Sequence, residues 1–255
     1  MKTRFGLMCF VLLMLTGCKC TSDGPVLKLS GEQTVEPRRL TGFERVEVIG
    51  SPTVRYMQAD TTSVSVCGPK ELVSEIITEV SGGKLTIRNR GKMGLVNFRF
   101  NDDDKLYVAV SSPDIIGVEV SGSGEFISQQ HIDTDQLNVR LKGSGNVSFS
   151  DVICDRCDIE LIGSGDIDFE RLDTRRTSAS LVGSGDIDIN QFRVLQTDLL
   201  LRGSGDIDVS FQDDCGAVSA VLQGSGDISL KGRVRQLHQS KQGSGTIDTS
   251  DLSHP

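Results

Sequence analysis

The chain has 255 residues, a net charge of −8, 28 glycines, no tryptophan and two tyrosines. The acidic balance argues against a nucleic-acid partner, whose phosphates call for a basic footprint. No G-X-Y period runs through the chain as in collagen, and Val, Ile, Leu and Phe recur too often for a disordered acidic tail. At this length one large or two small domains are expected, and the surplus of glycine needs a positional reason.

Residues 1–17 read as an address. Lys2 and Arg4 give a positive start, and Phe5 to Leu15 is an apolar run well short of the roughly 20 residues that span a bilayer. The run ends in Leu15-Thr16-Gly17-Cys18, which resembles the bacterial lipobox, where cleavage before the cysteine leaves its thiol to carry a diacylglycerol. Cys18 is therefore the expected lipidation residue; an ordinary secretory leader with a chance cysteine is the alternative. Acyl chains contribute about 0.8 kcal/mol per buried CH2, so a multiply acylated Cys18 anchors stably to a membrane. Residues 18–39 are small and polar and read as a tether. The expected location is the cell envelope. Lys19 carries no retention signal of the enterobacterial Asp type, which points to the outer membrane.

Residues 40–120 hold irregular strand-like runs. Val46, Val48, Gly50, Val54 and Tyr56 sit around Gly50-Ser51-Pro52 as a degenerate version of the repeat described next. Ser63–Val66, Lys84–Ile87 and Leu106–Val110 alternate like strands. Residues 70–80 predict the single helix, with Leu72, Ile76 and Ile77 on one face, and residues 90–105 predict a protruding loop.

Residues 121–255 are a regular repeat. Gly-Ser-Gly begins at 122, 143, 163, 183, 203, 224 and 243, in steps of 21, 20, 20, 20, 21 and 19 residues. Counted from the first glycine, positions −4 and −2 hold pairs such as Val139/Leu141 and Ile159/Leu161. Positions +4 and +6 hold pairs such as Val147/Phe149 and Ile187/Ile189, and position +9 holds Val152, Leu172 and Phe192. This is period-2 alternation on both sides of a glycine corner, so the expected unit is strand, corner, strand. One such unit cannot bury its apolar face alone, but stacked coils can. The predicted fold is all-β: a parallel β-solenoid with coils of about 20 residues and glycine corners. Seven coils at about 4.8 Å make a rod section of roughly 34 Å. The last coil places Gln239 and Lys241 where the others bury apolar groups, a polar end that discourages further stacking.

Glycine suits the corner because it reaches positive φ and because stacked corners leave no room for a Cβ. The serines are expected to form a hydroxyl ladder. No copy matches a phosphate-binding loop or a nucleophile elbow. Asp166, Asp186, Asp206 and Asp227 recur at +3 and Asp168, Asp188, Asp208 and Asp248 at +5, all on the outer side of the strand. Stacked like charges about 4.8 Å apart repel by about 0.9 kcal/mol even at the dielectric of water. The offset could come from backbone N–H groups of the next corner, from a basic column, or from cations. Corner capping on a solvated face, weak calcium sites and catalysis are the three readings of these aspartates, in that order. Cys154 and Cys157 form a lone C-x-x-C with no second pair, so zinc is not expected; burial at corners, a disulfide outside the cytoplasm and redox chemistry are the three readings, with redox chemistry last. His131, His238 and His254 form no cluster in the sequence.

The phrases GFERVEV (42–48), EIITEVSGGKLTI (75–87) and VEVSGSG (118–124), with the GSGDI repeats, resemble the head GIN domain, labelled the head of an auto-transporter adhesin and common in Bacteroidetes lipoproteins. The resemblance covers residues 40–250. It implies a right-handed parallel β-helix on the cell envelope and no established activity, cofactor or binding residues. The expected function is a lipid-anchored rod that presents a surface for adhesion, with an envelope protein, a glycan or a second copy of the chain as partner. A carbohydrate-active β-helix enzyme and a calcium-stabilised structural protein are the alternatives. An enzyme needs one irregular group of acids and bases, whereas these aspartates repeat coil by coil.

Overall fold

The computed structural model describes residues 32–91 and 106–253. The leader, Cys18, residues 19–31 of the tether, residues 92–105 of the expected loop and His254 lie outside the described residues; of the rest of the expected tether, Gln33–Arg38 is a strand paired onto the rod. Within them the chain is a β-solenoid of about seven turns with coils of about 20 residues.

The repeat reads most simply in β11 (Asn146–Gly163) and β12 (Asp166–Gly183), which each run almost a full coil and pair in parallel, with Leu161 beside Leu181 and Gly163 beside Gly183. The strict alternation of β11 breaks at Ser150-Asp151 and again at Asp155-Arg156, where two successive side chains face out. Each break is a corner, so the coil has three sides and not the two that the glycine punctuation suggests. Val147 and Phe149 face inward from one side, Val152 and Cys154 from the next, and Cys157, Ile159 and Leu161 from the third. The additional, middle side escapes the apolar pattern because its inner positions in other coils hold Thr174 and Gln191, and the first inner position past its corner holds Thr177 and Thr197, all buried.

The same stacking continues upward. β12 meets β13 (Asp186–Phe192) and β14 (Gln196–Gly203), both of these meet β15 (Asp206–Gly224), and β15 meets β16 (Asp227–Gly243), all in parallel. Large side chains form a ladder within the rod: ring centroids lie 5.8 Å apart for Tyr56–Phe126, 5.6 Å for Phe126–Phe149 and 4.8 Å for Phe149–Phe169. The Gly122 coil keeps this ladder by exchange. It places the small Ser128 at the inner position where the next two coils have Phe149 and Phe169, and Phe126 at the neighbouring one where they have Val147 and Ile167.

One inner position differs from expectation. Between β12 and β13 the register slips, so that Leu172 stacks on Gln191 and Asp173 on Phe192. Gln191 is fully buried, whereas Phe192 faces outward, where the Arg171 guanidinium lies 4.1 Å from its ring centre. The coil loses a residue before Gln191 and regains it at Arg193, a bulge held at φ 53°, the one positive-φ residue other than glycine among the described residues.

The N-terminal end is not stacked in chain order. β2 (Arg45–Gly50) and β3 (Thr53–Gln58) form the degenerate coil and lie directly under β8 (Gly117–Gly122) and β9 (Glu125–Asp133), with Val48 beside Val120 and Gly50 beside Gly122. The later strands β6 (Lys84–Asn89) and β7 (Tyr107–Ser112) slide in beneath them, parallel to β2 and β3. Antiparallel strands then close the rod: β4 (Ser63–Pro69) on β7, β1 (Gln33–Arg38) on β4, and β5 (Ile76–Ser81) on β6. Pro37 in the outermost strand removes a ladder donor, as edge strands require. The expected helix over 70–80 is only the turn α1 (Lys70–Val73); Ile76 onward is strand. Its β-branched run Ile76-Ile77-Thr78 leads into Gly82-Gly83, both at positive φ, which turn the chain into a two-residue hairpin with β6.

At the other end β17 (Thr246–Asp248) and β18 (Leu252–Ser253) cover only part of β16. Gln239 stacks over Ala220 and Lys241 over Leu222, and both are exposed, as the sequence predicts for a polar terminal coil.

Candidate binding faces and corners

The Gly-Ser-Gly edge is built by the backbone. From Ser123 to Ser225 each corner serine N–H donates to the first glycine of the coil beneath, as in Ser164 to Gly143 and Ser184 to Gly163, both 2.8 Å, and at the last corner Gly245 donates to Gly224 instead, at 3.1 Å. The N–H of the residue after the second glycine donates to the second glycine below, as in Asp166 to Gly145 at 3.1 Å. Gly163 has φ 136°, and a Cβ there would lie 2.1 Å from the Gly143 oxygen. Gly165 needs no positive φ, yet a Cβ would sit 2.2 Å from the Gly145 oxygen. The two glycines thus have different reasons, conformation with contact at the first and contact alone at the second. Of the expected hydroxyl ladder, the described residues show Ser244 donating to Ser225 at 3.1 Å; the carbonyl ladder does the rest.

Beyond this edge lies the acidic face. Asp166, Asp186, Asp206 and Asp227 stack in register, as do Asp168, Asp188 and Asp208. The first column is capped by backbone. Asp186 Oδ1 accepts the Asp206 N–H at 3.2 Å, Asp206 Oδ1 that of Asp227 at 3.0 Å, and Asp227 Oδ1 that of Thr246 at 2.7 Å. These are the next-corner donors anticipated from the sequence. The second column sits deeper. Burial, then Glu170, pushes the Asp168 carboxyl above its ordinary range, and burial, then Asp208 and Asp168, does the same to Asp188. Asp248 stands apart and lies below its ordinary range, held by the Ser250 N–H at 2.9 Å. Among the described residues no group of three or more His, Cys, Asp or Glu side chains is placed to hold a metal ion.

The face before the glycine corner is balanced instead. Lys84 pairs with Glu47 at 2.9 Å, Lys142 with Glu119 at 3.1 Å, and Arg140 with Glu160, all between stacked strands. Partial burial raises the Glu47 carboxyl, but bonds from Lys84 and Thr86 outweigh it and leave it lowered. A shallow groove of about 480 Å³ opens over Gly117, between Arg45, Lys84, Asn138 and Arg140. The rod therefore presents two chemically different flanks, one acidic and one of paired charge.

A third feature was not legible in the motifs. On both sides of position +9, charges alternate along the rod: His131 meets Asp151 at 2.7 Å, Asp151 meets Arg171 at 3.3 Å, Arg171 meets Asp173 at 3.4 Å, and Arg193 closes on Asp173. His131 looks isolated in sequence and gains its partner only from the coil spacing. Cys154 and Cys157 both point into the rod at the next corner, and Cys67 and Cys215 are buried elsewhere.

A family model described as "Putative auto-transporter adhesin, head GIN domain" matches residues 42–217; the solenoid continues past that match through Ser253. A Bacteroides fragilis crystal structure described as a "putative adhesin" has a TM-score of 0.76 and 22% identity over 87% of this chain and 99% of its own. One from Parabacteroides distasonis with the same description has a TM-score of 0.67 and 21% identity over 88% and 99%. Another from that organism, described as a "putative lipid binding protein", has a TM-score of 0.58 and 20% identity over 88% and 100%. At these identities the likeness is one of fold. No curated protein matches the chain. With its repeat, its coil geometry and the family match over most of the solenoid, the chain belongs to the head GIN domain family.

Proposed function

We propose that this protein is a lipid-anchored rod of the cell envelope whose flanks bind a surface partner, an adhesive and non-catalytic role. The observation that carries the reading is the repetition of its outward chemistry: the aspartates at +3 and +5 recur as copies along the rod, in register, and do not converge on one irregular cluster. Such an array meets an extended partner at many weak points, which suits a repetitive glycan or an envelope protein better than a single small substrate. The adhesin descriptions of the family and of its structural neighbours support the same reading.

In this reading residues 1–17 are removed, Cys18 carries the lipid, and the part of the 18–39 segment that precedes β1 holds the solenoid (residues 40–120 and 121–255) off an outer membrane. The leader sequence and the box at 15–18 support the anchor. Two experiments test it. Metabolic labelling with a fatty-acid analogue should label the native chain and not Cys18→Ala. The lipid-free domain, screened against envelope glycans and proteins, should retain a partner through one flank. Turnover of an acidic polysaccharide, lost in Asp186→Asn and Asp206→Asn, would replace this reading with an enzymatic one.

A further inference from the structure

We propose that Cys154 and Cys157 form a reversible disulfide across a corner of the solenoid. The alternation of β11 breaks at Asp155-Arg156, and this break turns both flanking cysteines inward, where three residues of ordinary strand would have set them on opposite faces. Both side chains lie inside the rod at the same corner, with 5% and 0% of their surface exposed, and each thiol shifts the titration of the other. The other buried cysteines, Cys67 and Cys215, lie on different strands, Cys67 in the N-terminal cap and Cys215 three coils further up the stack.

The two thiols are not equivalent. Cys154 lines a cleft of about 450 Å³ on the corner, with Asp155, Thr174, Arg175 and Arg193 around it, and Cys157 sits behind it with no outlet. The hydrogen bond from Cys157 lowers the Cys154 thiol despite its burial, helped by Thr174, whose Oγ1 is 3.6 Å from the Cys154 sulfur. That same contact, with full burial, pushes Cys157 up. Cys154 is thus the attacking thiol and Cys157 the resolving one.

The oxidant is a disulfide, either of a small thiol such as glutathione or of a thiol–disulfide exchange protein. The Cys154 thiolate attacks one sulfur of it, forms a mixed disulfide and releases the first thiol. Cys157 then loses its proton, attacks the Cys154 sulfur and displaces the second thiol. Two electrons and two protons leave the pair, and the oxidant is reduced to two thiols. Oxidation in the cell rests on the envelope location proposed above, whereas the chemistry of the pair does not.

The test uses the full purified chain, equilibrated in glutathione buffers from fully reducing to fully oxidising, approached both from the folded protein and by refolding from denaturant. After acid quenching, the protein is unfolded, alkylated and digested with trypsin. Trypsin cuts after Arg156, between the two cysteines, so the oxidised pair keeps two tryptic peptides joined and two hydrogens lighter. The expected result is joint protection of Cys154 and Cys157 from alkylation, full alkylation of Cys67 and Cys215, and trapping of glutathione on Cys154 in Cys157→Ser but not on Cys157 in Cys154→Ser. Alkylation of both cysteines at every buffer ratio by both routes, or pairing of either with another cysteine, would overturn the proposal. An oxidised pair in vitro in a protein that binds no partner would leave this inference standing and remove only the adhesive reading.

Discussion

Asp173 and Arg193 face each other across neighbouring coils, one nearly buried and the other two-thirds exposed: the Arg193 Nε lies 2.8 Å from each Asp173 oxygen. The bulge that sets Arg193 at φ 53° is what turns its guanidinium down onto the carboxylate. Arg193→Ala should therefore strand a buried charge. Arg171 remains 3.4 Å away, so the loss should fall below that of a buried pair broken outright, at about 1–3 kcal/mol. Arg193→Gly should recover about 1 kcal/mol of it, because glycine removes the left-handed backbone strain. Urea unfolding of both variants, and of each in an Asp173→Asn background, measures the coupling. Equal losses in the two backgrounds would show that the pair contributes nothing.

The glycine corners make a sharper prediction. Gly165→Ala places a methyl 2.2 Å from a backbone oxygen that cannot move without unstacking a coil, and Gly163→Ala adds a strained φ to a similar contact. Both should cost more than about 4 kcal/mol, the range of severe overpacking and strain. Gly42→Ala, at φ 76° with nothing within 4 Å of the new methyl, should cost only about 1 kcal/mol of backbone strain. Thermal melts of the three variants rank the two causes, and a Gly165→Ala protein that melts with Gly42→Ala would refute the contact argument.

This division also explains what could be read from the sequence. Gly-Ser-Gly announces itself because two independent constraints, φ and contact, forbid every other residue at its ends. The apolar columns on either side show for the same reason: Leu141, Leu161 and Leu181 have one stacking geometry to satisfy. The middle side was hidden because its inner positions bury Cys154, Thr174 or Gln191 equally well, and the first inner position past it buries Cys157, Thr177 or Thr197, so no single residue type repeats there. Residues 76–80 fit a helix in the sequence but are strand, because one face of a short run fits both periods. The Gly82-Gly83 turn that settles the matter acts through pairing with Lys84–Asn89. The insertion of β6 and β7 beneath β2 and β3 left no local trace, since stacking order is set by end-to-end fit of equivalent coils. The aspartates stack in register as their spacing predicts, but their different environments arise from which backbone N–H groups reach them and from burial.

The inner aspartate column should make stability depend on pH in one direction. The folded-state carboxyls of Asp168 and Asp188 are raised, so their protonated forms favour folding. That contribution is complete below the ordinary carboxylate pKa and is lost as pH rises through the raised folded value. Asp188→Asn should therefore stabilise at neutral pH, by about 0.3–1 kcal/mol given its partial exposure. The gain should vanish as pH falls through the carboxylate range and should shrink in high salt, which screens the repulsion from Asp168 and Asp208. Glu47, whose carboxyl is lowered, works in the opposite sense, so the diagnostic quantity is the difference between variant and parent at each pH. A gain that persists unchanged at acidic pH would assign it to packing and not to charge.

The polar end of the rod should control its association. Gln236–Gly243 stacks on the coil beneath, and no further strand covers it among the described residues, so its outer N–H and C=O groups form a bare parallel edge. Lys241 stands over Leu222 and donates to the Gly245 carbonyl at 3.0 Å, while Gln239 stands over Ala220. An incoming coil would have to bury that ammonium against its own apolar column, a cost that outweighs the gain from the strand pairing. Lys241→Leu with Gln239→Ala restores the residues of the coil beneath and should turn the end into a stacking surface. Sedimentation velocity of the lipid-free solenoid should then show species larger than the parent, growing with concentration. Lys241→Leu alone should give most of the effect, since the charge is the larger barrier. Identical sedimentation of parent and double variant across the accessible concentration range would mean that the incomplete cover of β17 and β18, and not the side chains beneath it, blocks the end.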